Sequence, residues 1–193
     1  MDELDAATLP VETIRRTVQA VCEVLGAPFL NKNVMLSVHM RLLDSLFPDC
    51  LFAHLRRDPV DRIRSILRAR ANEQGPRTRR EWWSVKPRDW QRYQDASHPV
   101  QAAAQVLHLH RDVSRDVDHM VAQRCVVVDY ADRCANPRAT MNQIGEFLES
   151  GGVSLSDHAD VPDRFREPSK HVTNSGGDAE IREALIQVES GIR

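Results

Sequence analysis

The distribution of apolar and polar positions divides the chain into segments of helical and of strand character. Helices are predicted at 10–25, 34–46, 59–72, 99–123, 137–148 and 178–189, the first of them from apolar residues that recur at helical spacing. Two compact apolar runs, Leu51–Leu55 and Cys125–Val128, predict buried strands, and a short third strand is expected at Pro28–Leu30. Strands that alternate with helices indicate an α/β fold with a largely parallel sheet.

One junction joins the first long strand directly to the helix that follows it. Asp58 is a good N-cap, Pro59 suits the first helical position, and Asp61 places negative charge in the first turn. Such a junction directs backbone N–H groups and the positive end of the helix dipole at one point. Arg57 can add a forked guanidinium contact there, and Ser65 lies two turns later on the side of Asp58. The junction predicts a phosphate site, with the alternative that it is a plain helix cap beside a surface arginine.

Composition limits the class of protein. The 193 residues are enough for one domain with a core; 41% of them are apolar and 28% charged, and the net charge is −2. No apolar run approaches the roughly 20 residues that span a bilayer, and the acidic start MDELDAATLP is unlike a signal peptide. Four scattered cysteines without a C-x-x-C pair argue against a zinc site and a disulfide framework. We therefore expect a cytoplasmic protein of one domain with no metal and no membrane span.

Basic and aromatic residues are concentrated in the middle of the chain. The polar stretch 76–97 contains all three tryptophans and is predicted to form a long loop or lid. Trp82, Trp83 and Trp90 would either stack on a substrate or adenine, or pin the loop to the core, and the sequence favours neither. A nucleic-acid surface is an alternative, since arginines interleave with these tryptophans. Acidic residues dilute that patch and the net charge is negative, so no nucleic-acid partner is expected.

Positions 29–67 carry the stretch FLNKNVMLSVHMRLLDSLFPDCLFAHLRRDPVDRIRSIL. It resembles the middle of the sulfotransferases that use PAPS (3'-phosphoadenosine 5'-phosphosulfate), most closely the bacterial type with K-N-P, F-P-D-A and R-D-P-R motifs. In that family the arginine of R-D-P and a serine eight residues later hold the 3'-phosphate, and Arg57 and Ser65 match them. Lys32 matches the motif lysine near the transferring sulfuryl group, and Val34 replaces the motif proline. The resemblance implies a catalytic Lys32 that also contacts PAPS.

Later segments agree with the same family in order. EWWSVKPRDW resembles a tryptophan-rich insertion over the active site, PVQAAAQV a glutamine-bearing helix, and CVVVDYADRCANPRATMNQIGEFL a late strand and helix with Ala131 in place of glutamate. REPSKHVTNSG resembles a loop that closes over the nucleotide. The resemblance spans 27–177 and implies a P-loop-NTPase-like sulfotransferase fold. It also implies sulfuryl transfer from PAPS to a hydroxyl or amine of a small-molecule, lipid or carbohydrate acceptor.

One element of that family is not found in the sequence. A P-loop-like R-S-G-T turn after the first strand cradles the 5'-phosphosulfate through backbone amides. No Gly-Ser or Gly-Thr turn lies between a predicted strand and a helix here. We therefore expect residues 1–193 to be the C-terminal portion of one such domain, with the first strand and P-loop missing. The alternative function is a catalytically incomplete remnant that acts as a nucleotide-binding or interaction module.

Histidines supply further candidates. His39 lies shortly after Lys32 and is a candidate general base toward an acceptor hydroxyl, with a plain position on a helix face as the alternative. His108 and His110 face different ways on a helix, which argues against a shared metal, and both are expected at the surface. His171 is a similar, weaker candidate for a base.

Overall fold

The computed structural model describes residues 9–72, 82–120, 124–155, 160–165 and 175–192. These residues form helices and strands, as the apolar pattern predicts for an α/β fold, and helices dominate. The elements are α1 (Val11–Leu25), α2 (Met40–Leu46), β1 (Phe52–Arg56), α3 (Pro59–Asn72), α4 (His98–His119), β2 (Cys125–Asp129), α5 (Tyr130–Ala135), α6 (Pro137–Ser150) and α7 (Ser175–Ile192), with short 3₁₀ helices at Val34–Val38 and Trp90–Tyr93.

In the described part of the chain the sheet consists of β1 and β2, which are parallel. Phe52 lies opposite Cys125 and Arg56 opposite Asp129, so the two strands end at the same edge. The prediction of a parallel sheet is confirmed for these two strands. The third strand predicted at 28–30 is wrong, because these residues form irregular backbone and Leu30 is 92% exposed. An apolar run of this length without a neighbouring strand has no ladder of hydrogen bonds to hold it extended.

The core surrounds α4, which contacts α3, α7 and both 3₁₀ helices. Small residues at 102–104 of α4 are fully buried, so neighbouring helices can approach closely. The last helix, α7, presents Ile181, Ala184 and Val188 to this core at helical spacing. From α3 comes Ile63, which is also fully buried. The position of α3, and of the junction before it, is therefore fixed by packing on α4.

A buried polar network also joins α3 to α4. Arg70 of α3 donates through Nη1 to Oε1 of Gln101 at 2.9 Å. The amide nitrogen of Gln101 donates to the carbonyl oxygens of Tyr93 (3.2 Å) and Gln94 (2.9 Å). Because an unsatisfied buried polar group costs about 1–3 kcal/mol, this network fixes the relative register of the two helices and the segment before α4.

Two predicted helices differ from the structure. The helix expected at 34–46 is divided at His39, whose φ of −124° leaves the helical region, into a 3₁₀ helix and α2. The side chain of Asn33 starts the 3₁₀ turn by accepting a hydrogen bond from the N–H of Met35 at 2.9 Å. Directly after β2, α5 has only six residues, too few for an apolar period to reveal it.

The first helix, α1, lies at the periphery and has no fully buried residue. Arg15 donates through Nε to the carbonyl oxygen of Leu46 at 2.7 Å and holds α1 against the end of α2. Gly26 adopts a φ of 60° and ends the helix, as predicted. None of the described helices combines the length and the apolar character needed to cross a membrane.

Replacement of Ile181 by alanine tests the packing of α7 on the core. Ile181 is 3% exposed, so Ile181→Ala should lower the free energy of unfolding by about 2–5 kcal/mol. Ile186→Ala, on the same helix at a position 67% exposed, should change it by less than about 0.5 kcal/mol. Urea unfolding followed by circular dichroism measures both. Equal losses would contradict the position of α7.

Candidate functional site

The carboxyl ends of β1 and β2 meet at one edge of the sheet, where the predicted phosphate site begins. Arg56 and Asp129 are register partners at the strand ends, and their side chains form an ion pair of 2.9 Å. Both side chains are about half exposed, so this pair contributes little to stability. The same register brings together the residues that directly follow the two strands, Arg57 and Tyr130.

Arg57 stacks on the ring of Tyr130. Its guanidinium carbon lies 4.6 Å from the ring centroid, a cation–π distance. The Nε atom of Arg57 is buried and makes no hydrogen bond to any residue that the structure describes. A buried guanidinium N–H without an acceptor is unfavourable unless a ligand supplies one. Arg57 is therefore held half-buried, with donor capacity left for an anion.

Beyond Arg57 the chain turns directly into α3. The carboxylate of Asp58 accepts a hydrogen bond from the N–H of Asp61 at 3.0 Å, which confirms the predicted N-cap. Because Pro59 has no N–H and that of Asp61 is bound, the first turn offers few amides to a ligand. Ser65 is exposed two turns along the same stripe as Asp58. An anion at this junction would be held mainly by side chains.

Lys32 and His39 flank the 3₁₀ helix between α1 and α2. Lys32 is exposed in irregular backbone, and Val34, at the position of the motif proline, begins the 3₁₀ helix. His39 is buried, with 8% of its surface exposed, at the point where the 3₁₀ helix meets α2. A hydroxyl substrate would have to enter this interior position for the imidazole of His39 to serve as its base.

The tryptophan segment is described from residue 82 onward, and it is mostly irregular, as expected. Trp82 packs against the core cluster and donates through Nε1 to the carbonyl oxygen of Val85 at 3.0 Å. Its ring lies edge-on to Trp90, with centroids 6.4 Å apart, and the ammonium group of Lys86 lies 4.1 Å from the centroid of Trp90. The carbonyl oxygen of Trp83 accepts a hydrogen bond from Gln105 of α4 at 3.3 Å. These contacts attach the described part of the segment, residues 82–97, to the core.

The sulfotransferase family model matches residues 7–151, which is more than half of the chain. The chain belongs to the sulfotransferase family. Comparison with curated proteins and with solved structures found no match.

All seven predicted site residues lie within the matched range: Lys32, His39, Arg57, Ser65, Trp82, Trp83 and Trp90. It begins at residue 7 and so includes α1, whereas the resemblance seen in the sequence began at 27. The loop predicted to close over the nucleotide, with His171, lies beyond the match, and residues 166–174 lie outside the described residues. Neither described strand leads into a glycine turn, since β1 is followed by Arg57 and β2 by Tyr130.

The histidines His108 and His110 of α4 face different ways, as predicted. His108 is buried and lies 3.2 Å from the hydroxyl of Tyr93, so the prediction of a surface position is wrong for it. His110, two residues later in α4, faces His54 of β1, with ring centroids 6.4 Å apart. Sequence reasoning missed this pair because it joins a strand to a helix 56 positions later. Among the described residues, no group of three or more His, Cys, Asp or Glu side chains is placed to hold a metal ion.

Burial is the largest cause that lowers the pKa values of His54 and His110. For His54 the next causes are the positive charges of His110, Arg56 and Arg62. For His110 they are those of Arg62 and Arg56. The two rings therefore stay neutral to a lower pH than an ordinary histidine, whose pKa is about 6.5.

The lowered pKa values predict a loss of stability in acid. Below about pH 6.5 the unfolded chain binds more protons at these positions than the folded one, so stability falls as the pH drops through that value. His110→Gln should remove part of this loss, so that the variant gains stability relative to the parent at about pH 5 but not at about pH 8. Urea unfolding at both pH values measures it. An identical pH dependence in variant and parent would contradict the pKa direction.

Proposed function

We propose that the chain binds PAPS and transfers its sulfuryl group to a hydroxyl or amine acceptor, with release of adenosine 3',5'-bisphosphate. The observation that carries this proposal is the buried Nε of Arg57, which no described residue satisfies, at the start of α3. Membership of the sulfotransferase family supports sulfuryl transfer as the chemistry. The use of PAPS and the residue roles follow from the motifs at Lys32 and at Arg57–Ser65.

The residues present fit a phosphate group. Arg57 is oriented by Tyr130 and presents a forked donor, which suits the planar pair of oxygens on a phosphate. Ser65 adds an exposed hydroxyl on the stripe of α3 that begins at Asp58. Together they would hold the 3'-phosphate of the nucleotide. The N–H of Asp61 donates to the carboxylate of Asp58, so the accepting oxygen faces the first turn of α3.

Lys32 is proposed to act at the transferring group. In the reaction the bond between sulfur and the 5'-phosphate oxygen breaks, a bond from sulfur to the acceptor oxygen or nitrogen forms, and the acceptor proton passes to a base. Charge grows on the leaving oxygen, and a positioned ammonium group stabilises it there. Lys32 is exposed and free to reach a ligand, while His39 would serve as the base only for an acceptor that enters its buried position.

The acceptor is proposed to be a small molecule, lipid or carbohydrate that approaches beneath the tryptophan segment. Trp82 is committed to the core by its hydrogen bond and packing. Trp90 keeps one face against Lys86 and an edge against Trp82, at an intermediate exposure that leaves some of its surface for a ligand. Trp90 therefore has surface available to contact an acceptor or adenine.

Replacement of Arg57 tests the nucleotide site. Arg57→Ala should weaken binding of adenosine 3',5'-bisphosphate by roughly 10- to 100-fold, the value of one hydrogen bond to a charged group. Arg182→Ala, which removes an exposed arginine of α7, is the matched control and should bind like the parent. Isothermal titration calorimetry measures all three proteins. If Arg57→Ala binds as tightly as the parent, the phosphate site is assigned to the wrong residue.

Replacement of Lys32 tests catalysis apart from binding. Lys32→Ala should lower turnover of PAPS by roughly 100-fold or more, since a lost donor to the developing charge costs about 2.7–4 kcal/mol. Lys32→Arg retains the positive charge and should keep part of the activity. Release of adenosine 3',5'-bisphosphate with a panel of hydroxyl and amine acceptors gives the rate. A parent chain that binds the nucleotide but shows no turnover would instead be the incomplete nucleotide-binding module.

A further inference from the structure

Three further basic side chains, from β1, α3 and α4, take no part in the phosphate contact proposed above. We call Arg62, His54 and His110 the basic cluster. Side chains alternate along a strand, so His54 projects from the same face of β1 as Arg56. Its ring meets that of His110 from α4 at 6.4 Å between centroids and 42° between planes. A strand and two helices thus contribute basic side chains to this cluster.

Arg62 is a partly desolvated cation. Burial is the first cause that lowers its pKa and the positive charge of Arg57 the second, so Arg62 lies within electrostatic range of Arg57. Arg62 follows Asp58 by four residues and precedes Ser65 by three, which places it on their stripe of α3. Its guanidinium makes no hydrogen bond or ion pair with the described residues. Two cations within this range that are not neutralised indicate a place for an anion.

Acidic residues around the basic cluster are already engaged. The carboxylate of Asp129 raises the pKa of His54, but this is the smallest of the effects on that pKa. The same carboxylate is paired with Arg56 at 2.9 Å. Asp58 caps α3, and Asp61 is paired with Arg64. Within the described part of the chain, Arg62 is therefore left without a carboxylate partner.

We propose that Arg62 is a second phosphate-binding residue beside Arg57, and that the His54–His110 pair couples phosphate binding to proton uptake. The inference rests on the proposed function, because the phosphate is that of the nucleotide. A phosphate between the two guanidinium groups replaces their repulsion by charge-assisted contacts. Its negative charge favours the protonated form of both imidazoles, so protons enter from solution as the anion binds.

Nucleotide binding tests the role of Arg62. Arg62→Gln should weaken binding of adenosine 3',5'-bisphosphate by roughly 10- to 100-fold, and Arg182→Gln on α7 should leave it unchanged. Calorimetry measures both, with circular dichroism as the check of folding. If Arg57→Ala weakens binding and Arg62→Gln does not, the inference is overturned while the proposed function stands. If the parent chain does not bind the nucleotide, the proposed function fails, and sulfate decides the inference by itself.

Inorganic sulfate tests the proton coupling without a nucleotide. Unlike a phosphate monoester, whose second pKa is about 6, sulfate does not titrate in the range of histidine, so any proton uptake belongs to the protein. Proton NMR of the histidine rings, assigned with His54→Gln and His110→Gln, gives their titration curves in sodium sulfate and in sodium chloride of equal ionic strength.

Sulfate should move the midpoints of His54 and His110 to higher pH by half a unit or more, or about a threefold change in proton affinity. The movement should disappear in Arg62→Gln, because the anion is then no longer held beside the rings. Midpoints that are the same in the two salts would overturn the proton coupling. Midpoints that move equally in the parent and in Arg62→Gln would show that the anion binds without Arg62.

Discussion

The parallel pairing of β1 with β2 is the constraint on which the candidate site depends. It sets Arg56 opposite Asp129, and the following residues, Arg57 and Tyr130, then meet at the sheet edge. A slip by one residue would move these partners by about 3.3 Å and reverse the faces of one strand. His54 would then no longer project toward His110. One register therefore fixes both the arginine that would hold a phosphate and the histidines beside it.

Two strands alone are marginal, so the register depends on the helices around them. Burial of Ile63 holds α3 to α4, and the hydrogen bond from Arg70 to Gln101 fixes the axial position of α3 relative to α4. From the other side, Arg64 pairs with Asp178 of α7 at 2.8 Å. Because α3 is held from both sides, the stripe that carries Arg62 and Ser65 has one position relative to the strand ends. The apolar core and the polar site are thus two consequences of one helix packing.

Local signals in the sequence predicted the part of this arrangement that local forces determine. The cap at Asp58, the strand before it and the stripe that carries Ser65 follow from residues a few positions apart, and the structure has the cap and strand as predicted. Contacts between distant segments were not predictable. Nothing near His110 in the sequence shows that it faces β1. Nothing near Phe29 and Leu30 shows that none of the described strands pairs with them. Side-chain alternation predicts on which face of a strand a residue lies, but tertiary packing determines which element covers that face.

The Nε atom of Arg57 lies buried where β1 meets α3, without a hydrogen-bond partner among the described residues. Natural sequences that violate such local rules commonly do so at functional sites. The crystal structure of the chain with adenosine 3',5'-bisphosphate tests this account most directly. We predict that the 3'-phosphate lies within about 3 Å of the guanidinium nitrogens of Arg57 and of the hydroxyl of Ser65. A nucleotide bound elsewhere, with Arg57 still lacking an acceptor, would contradict it.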